Sequence, residues 1–277
     1  MIVPGSASQE LASVLASELG ESLAPVEYDR FADGETLVRV PRSDDRAVVV
    51  ASTVSDTAHV ELLQLQDAAA SQAEEVITVL PYMGYARQDE AFEAGQPVSA
   101  RAMAKAISTG TDRVVTVNPH EDVVCDFFDA PCTPVDAAGR LAEPLPELAD
   151  PLFLSPDAGA LGLAETVRDV HGVGETDYFE KVRHSDTDVE VRPSDADTTD
   201  RDVVLVDDII ATGSTMSTAI GQLSNPARVF VTCVHPMLAG AARTKLATAG
   251  VDAVYGTDTI ERAVSSVSVA PTVAKVL

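Results

Sequence analysis

The sequence predicts an α/β protein with parallel sheets in two halves. Three observations lead there. Short apolar runs alternate with segments of helical spacing along 277 residues. The run VVLV at 203–206 is apolar without alternation, as a strand buried on both faces requires. A Pro- and Glu-rich stretch at 141–151 interrupts the pattern near the middle, which suggests domains at 1–143 and 144–277.

Strands are expected at 1–3, 36–40, 47–51, 76–80, 113–117, 152–154, 203–206 and 228–232. Helices are expected at 8–19, 58–71, 100–107, 159–170, 214–223 and 240–248. Gly20 follows the first helix, where a left-handed C-cap is needed.

Composition narrows the function classes. A hydrophobic content of 45% is enough for a sizeable core. No apolar run is long enough to span a bilayer. The start MIVPGSASQEL lacks the basic and apolar regions of a secretory leader, so none is expected. Cys125, Cys132 and Cys233 form no CxxC pair and read as small buried hydrophobes in a reducing compartment, with a zinc site disfavoured. A cytoplasmic location follows as an expectation.

The net charge is -25, from 44 acids and 19 bases. Such a field repels nucleic acid and anionic membranes. The acids are spread along the chain, and Lys105, Lys181, Lys245 and Lys275 are its lysines. Dispersed acid with little Lys suits a halophilic source with molar internal salt, where the Debye length falls to about 3 Å and self-repulsion is screened.

Six segments carry candidate chemistry. In VVLVDDIIATGST (203–215), a strand ends in Asp207 and Asp208. The small-residue turn Thr212, Gly213, Ser214, Thr215 then opens a helix, where backbone N–H groups favour an anion. Paired carboxylates suit ribose hydroxyls or a metal, so the segment fits a sugar phosphate. In LPYMGYARQD (80–89), Tyr82 and Tyr85 could flank a flat base, Arg87 offers a fork to phosphate, and Gln88 can read an amino edge, with Asp89 following. A surface turn is the competing reading. FADGE (31–35) holds Phe31, Asp33 and Glu35 around an Asp-Gly turn and is by itself an ordinary hairpin signal.

In VTVNPHEDVVCDFFD (115–129), His120 follows a strand end, where α/β folds place their sites. It suits phosphate or a Mg²⁺-nucleotide. In SPDAG (155–159), Asp157 can hold a hard cation. In YFEKVR (178–183), Lys181 and Arg183 alternate along an extended segment, so both point to one face and could neutralise a transferring phosphoryl group. A solvated hairpin is the alternative there.

Taken together, PYMGYARQD, NPHE, SPDAG, EKVR and VDDIIATGST resemble the ribose-phosphate pyrophosphokinase family, in its shorter archaeal form. The resemblance implies two phosphoribosyltransferase-like α/β domains, each a mainly parallel sheet flanked by helices. It implies ATP and ribose 5-phosphate as substrates and a pyrophosphoryl group moved intact to the C1 hydroxyl, with Mg²⁺ as cofactor. By position, Asp207, Asp208, Thr212, Gly213, Ser214 and Thr215 would hold ribose 5-phosphate. Phe31, Asp33 and Glu35 would touch adenine, from a neighbouring subunit of a homo-oligomer that is a dimer or a multiple of dimers. Arg87, Gln88 and Asp89 would face ATP, His120 and Asp157 would serve Mg²⁺, and Lys181 and Arg183 would be catalytic cations on a mobile loop, alongside His120. Ala211 stands where many relatives carry a third acid, Ser214 where Gly is frequent, and Asn118 where Asp precedes the His. A phosphoribosyltransferase and a non-catalytic regulatory homologue are the alternatives. The first would not need the 87–89 and His120 segments, and the second would be expected to lose Lys181.

The charge balance generates a test. Folding and activity should be weak in dilute buffer and recover in molar KCl. Circular dichroism across a salt series checks this, and full structure at low salt would refute a halophilic adaptation.

Overall fold

Each half of the chain winds its apolar runs into its own parallel sheet. The structure, a computed structural model, describes residues 1–42, 44–183, 189–192 and 196–277, with side chains for all of these except 181–183 and 189–192. It divides into two units. One is Met1–Asp136 with Asp258–Glu261 and Ser268–Leu277; the other is Ala137–Thr257 with Arg262–Val267.

In the first unit β1 (Ile2–Pro4) leads to α1 (Gln9–Leu19), which Gly20 ends at φ 65 as the sequence leads one to expect. An antiparallel hairpin follows, β2 (Glu27–Arg30) and β3 (Thr36–Arg39). Then come β4 (Arg46–Val50), α2 (Asp56–Ala70), β5 (Glu75–Leu80), α3 (Ser99–Ser108), β6 (Arg113–Val117), the single turn α4 (Val123–Asp126) and β7 (Cys132–Val135). Among the described residues the sheet order is β1-β4-β5-β6-β7, with every neighbouring pair parallel. Ser55 caps α2 by accepting the Ala58 N–H at 3.2 Å. Leu62, Leu65 and Ala69 of α2 are buried in the sheet's core. The buried Gln66 donates from its Nε2 to Thr78 Oγ1 and the Ile107 carbonyl, which fixes α2 against β5 and α3.

Residues near the end of the chain belong to this first unit. The Glu261 carboxylate accepts the N–H groups of Glu10 and Leu11 at 2.7 and 3.0 Å, supplying the cap that Ser8 does not give α1. Arg46 and Arg113 donate to the carbonyls of Leu277 and Val276.

The second unit begins with a 3-10 turn, Ala138–Ala142, that packs on α5. It therefore takes in residues ahead of the 141–151 stretch. Its strands are β8 (Leu152–Ser155), β9 (Glu175–Tyr178), β10 (Glu180–Arg183), β11 (Val189–Arg192), β12 (Asp202–Ile209), β13 (Arg228–His235), β14 (Ala253–Thr257) and β15 (Ser265–Val267). Its helices are α5 (Leu161–His171), α6 (Ser214–Ile220) and α7 (Ala242–Thr248), while α8 (Ala270–Ala274) sits on the first unit. The sheet order is β15-β14-β13-β12-β8-β9, all parallel, and β10 with β11 makes a separate antiparallel pair.

The α/β class and both parallel sheets agree with the sequence. Strands β2 (EYDR) and β9 (ETDY) escape an apolar-run criterion because one lies in an exposed hairpin and the other at a sheet edge. Strand β12 is longer than the run at 203–206, since pairing with β13 carries it through both aspartates. No described helix is long and apolar enough to cross a membrane.

Asp202 opens β12 fully buried, accepts the Ala149 N–H at 2.7 Å and pairs with both forks of Arg228. These donors hold its carboxyl below the usual carboxylate range, the Arg228 bond being the largest cause. Its stabilisation is therefore present above the unfolded value near pH 4 and lost as pH falls through the folded one. Asp202→Ala should cost about 2 kcal/mol, toward the low end for a buried pair because Arg228 keeps a solvent-facing side. Denaturant unfolding at neutral pH measures this, and the deficit should shrink in acid.

Candidate active site

The order of the second sheet reverses between β8 and β12: after β8 the chain adds β9 on one side and then β12 on the other. In open α/β sheets the carboxyl ends of strands at such a reversal enclose a crevice that takes ligands. Asp157 follows β8 there, and Asp207 and Asp208 end β12. The first sheet is laid down in one direction from β4 to β7, without a reversal.

The three acids are unequally satisfied. Asp157 Oδ1 accepts the N–H groups of Gly159 and Ala160 at 3.0 and 3.3 Å, so it caps the turn into α5. Asp208 Oδ1 accepts the Ile209 N–H at 2.7 Å, and Asp207 Oδ1 accepts the Asp208 N–H at 3.0 Å. Burial, then repulsion from Asp208 and Asp157, pushes the Asp207 carboxyl well above its ordinary range. Its strand partner Cys233 is fully buried, and burial followed by the Asp207 charge pushes its thiol up as well. Oxygen donors crowded this way fit a cation or the hydroxyls of a polyol. Among the described residues, however, no three His, Cys, Asp or Glu side chains form a metal cluster.

The turn after β12 is shaped by Gly213. Its φ is 73, and a Cβ there would lie 3.2 Å from the Ala242 carbonyl at the start of α7. A side chain would therefore be strained and crowded at once. Thr212, Ser214 and Thr215 are exposed around it. Helix α6 has seven residues, and its side-chain hydroxyls, rather than a long dipole, define the turn's polarity. Lys245 on α7 donates to Ser214 Oγ at 2.8 Å, and Thr212 Oγ1 donates to the same oxygen at 3.2 Å. The motif reading missed Lys245; its rarity in so acidic a chain was the available signal. Lys181 and Arg183 occupy β10, paired in register with Val191 and Val189, and their side chains lie outside the described residues.

In the first unit, residues 31–35 are the exposed loop of the β2–β3 hairpin. The Phe31 N–H and Glu35 carbonyl close it at 2.9 Å, Asp33 Oδ1 accepts the Glu35 N–H, and Gly34 has φ 94. Phe31 and Glu35, with Asp56, Val60 and Gln64 of α2, line an open cavity of about 500 Å³. Asp33 is spent on the turn.

The segment after β5 touches the same helix. The Gly84 N–H donates to Thr53 Oγ1 at 2.9 Å, and a Cβ on Gly84 would fall 2.3 Å from the Thr53 carbonyl oxygen, so glycine is required. Tyr85, at φ 67, donates its hydroxyl to Asp56 Oδ1 at 2.6 Å and leans on His59. Its hydroxyl is thus anchored to α2, while the ring stays exposed. Arg87 is exposed. Gln88 accepts from Ser99 Oγ and so ties the segment to α3. His120 is exposed in the loop after β6, the strand beside β5. Asn118 there has φ 35 and donates to Asp136 Oδ1 at 2.7 Å, a left-handed position that Asn tolerates. The structure thus gathers 31–35 and 80–89 around the start of α2, and sets His120 on the neighbouring strand end.

Residues 1–110 match the family model described as the N-terminal domain of ribose phosphate pyrophosphokinase, and 137–265 the phosphoribosyl transferase domain. Relatives include the ribose-phosphate pyrophosphokinase of Halobacterium salinarum, 64% identical over the whole of both chains. That of Methanosarcina mazei is 43% identical, covering 100% of this chain and 94% of its own. Among solved structures, phosphoribosylpyrophosphate synthetase from Mycobacterium smegmatis superposes with a TM-score of 0.83 at 28% identity, covering 100% of this chain and 96% of the other.

The raised Asp207 carboxyl sets a sign. Stability of the ligand-free protein should fall as pH rises between its unfolded and folded values, because the folded state binds the extra proton. Asp207→Asn, which mimics the protonated acid, should raise the thermal midpoint at neutral pH and give little gain in acid. Thermal unfolding across pH checks it.

Proposed function

The chain belongs to the ribose-phosphate pyrophosphokinase family, and on that premise we propose that it transfers the pyrophosphoryl group of ATP to the C1 hydroxyl of ribose 5-phosphate. The products are phosphoribosyl pyrophosphate and AMP. The observation that carries this reading is the meeting of Asp157, Asp207 and Asp208 with the hydroxyl-lined turn 212–215 at the reversal of the second sheet. Family models and full-length relatives cover both units, which disfavours a lone phosphoribosyltransferase.

In this reading Asp207 and Asp208 accept hydrogen bonds from the ribose hydroxyls. The turn Thr212, Gly213, Ser214, Thr215 meets the 5-phosphate with backbone N–H groups and hydroxyls, and Lys245 adds charge through Ser214. Phe31 and Glu35 offer the adenine a wall of the cavity at α2, with Asp33 holding their loop in shape. Arg87, Gln88 and Asp89 face the ATP phosphates. The C1 oxygen forms a bond to the β-phosphorus as the bond from that phosphorus to the α-bridging oxygen breaks. Lys181 and Arg183 stabilise charge on the moving group, so catalysis is positioning and electrostatics. Mg²⁺, when bound, would neutralise phosphate oxygens. In the second unit Asp157 would offer such an ion a hard oxygen ligand, and in the first unit His120 would offer one a contact suited to bound water. The site is shared within a homo-oligomer, a dimer or a multiple of dimers, where 31–35 serves a neighbour's ATP. The enzyme works in the cytoplasm.

Incubation with ATP, ribose 5-phosphate and Mg²⁺ in molar KCl, with nucleotides separated by chromatography, tests the reading. AMP formed only with the sugar present is expected, and ADP in its place would make this an ordinary kinase. Lys181→Ala should cut turnover by about 10²–10³-fold with unfolding unchanged; near-normal turnover would remove it from the mechanism. Asp208→Ala should raise the KM for ribose 5-phosphate about tenfold or more, a loss of at least one charged hydrogen bond.

A further inference from the structure

We propose that Cys125 and Cys132 are a reversible oxidation site, closing an intramolecular disulfide at the expense of a low-molecular-weight disulfide. The sequence alone treats all three cysteines as buried hydrophobes, but Cys233 is the buried one, and Cys125 and Cys132 are half-exposed. Their sulfurs lie 2.8 Å apart. A disulfide bond spans about 2.03–2.05 Å, so the sulfurs need approach by only about 0.8 Å.

The fold holds them there. Cys132 lies in β7 opposite Val114, and the neighbouring Pro131 carbonyl accepts the Val114 N–H at 2.8 Å. Cys125 lies in α4 between Val124, which is buried, and a backbone whose Asp129 N–H donates to Ser108 Oγ at 3.0 Å. Phe128, inside the segment the bond would close, is buried in the core.

The pair is also polarised. Cys132 donates its S–H to Cys125 Sγ, which favours the thiolate on Cys125, against burial and the charges of Asp126 and Asp122. The same bond and burial keep the proton on Cys132. Cys125 is therefore the attacking thiolate and Cys132 the resolving thiol. Cys125 Sγ attacks one sulfur of the small disulfide, forming a mixed disulfide and releasing one small thiolate. Cys132 Sγ then gives up its proton and attacks Cys125 Sγ, and the second small thiolate leaves and takes that proton. One small disulfide is reduced to two thiols, and two protein thiols become one disulfide. Excess reductant reverses both steps.

The full chain is incubated with oxidised glutathione in molar KCl, quenched with acid, alkylated under denaturing conditions and weighed. The expected product has lost two hydrogens, keeps one alkylatable thiol at Cys233, yields a cross-linked 125–132 peptide and returns to the starting mass with dithiothreitol. Cys132→Ser should stop at one glutathione adduct on Cys125. Wild-type protein that keeps three alkylatable thiols, that accumulates the adduct as Cys132→Ser does, or that cross-links only between chains would overturn the proposal.

Discussion

Three carboxylates crowd the carboxyl ends of two adjacent parallel strands, and much else in the second unit follows from keeping them there. Asp207 and Asp208 end β12, a strand buried on both faces, and Asp157 follows β8 beside it. Like charges so placed are unfavourable, and burial together with their repulsion holds the Asp207 carboxyl well above its ordinary range. The sheet resists this repulsion because Val203, Val204, Leu205 and Val206 are completely buried, and because Asp202 anchors the start of the strand to Arg228. A cation or a set of sugar hydroxyls held there, as proposed above, would relieve the repulsion that the fold imposes.

The two units use the same building plan differently. The first sheet grows in one direction and presents its candidate residues on loops braced by backbone: Gly84 against Thr53, the 31–35 hairpin closed on itself, Asn118 turned left-handed beside Asp136. The second sheet reverses direction and gains a crevice at the reversal. Residues that look alike in the sequence therefore do different work. Asp33 shapes a turn, Asp157 caps one while remaining at the strand end, and Asp207 accepts the N–H of Asp208 beside it.

The α/β class, the placement of β12 and the turn after it, and the capping role of Gly20 were legible because each rests on local chemistry: apolar runs, small residues and a left-handed position. Lys245 was not legible as part of the site, because its link to Ser214 joins two helices about thirty residues apart and exists only after α6 and α7 pack. The Cys125–Cys132 approach was hidden for a related reason, since the spacing matches no motif and the sulfurs meet only once β7 pairs with β6. The Tyr85 hydroxyl bond to Asp56 was likewise not legible, since it joins residues 29 apart, and it leaves the ring exposed. The short strands β2 and β9 were invisible because pairing, not hydrophobicity, defines them.

The acidic surface sets the conditions under which all this operates, and similarity to a Halobacterium salinarum protein over the full chain accords with them. The central claim is that filling the crevice relieves the burial and repulsion that raise the Asp207 carboxyl. Calorimetric titration of ribose 5-phosphate with Mg²⁺, repeated across a pH series, measures the proton release this requires. Buffers of different ionisation enthalpy report the protons released. The account predicts release by the wild-type protein and its loss in Asp207→Asn. Identical proton counts for the two proteins would contradict it.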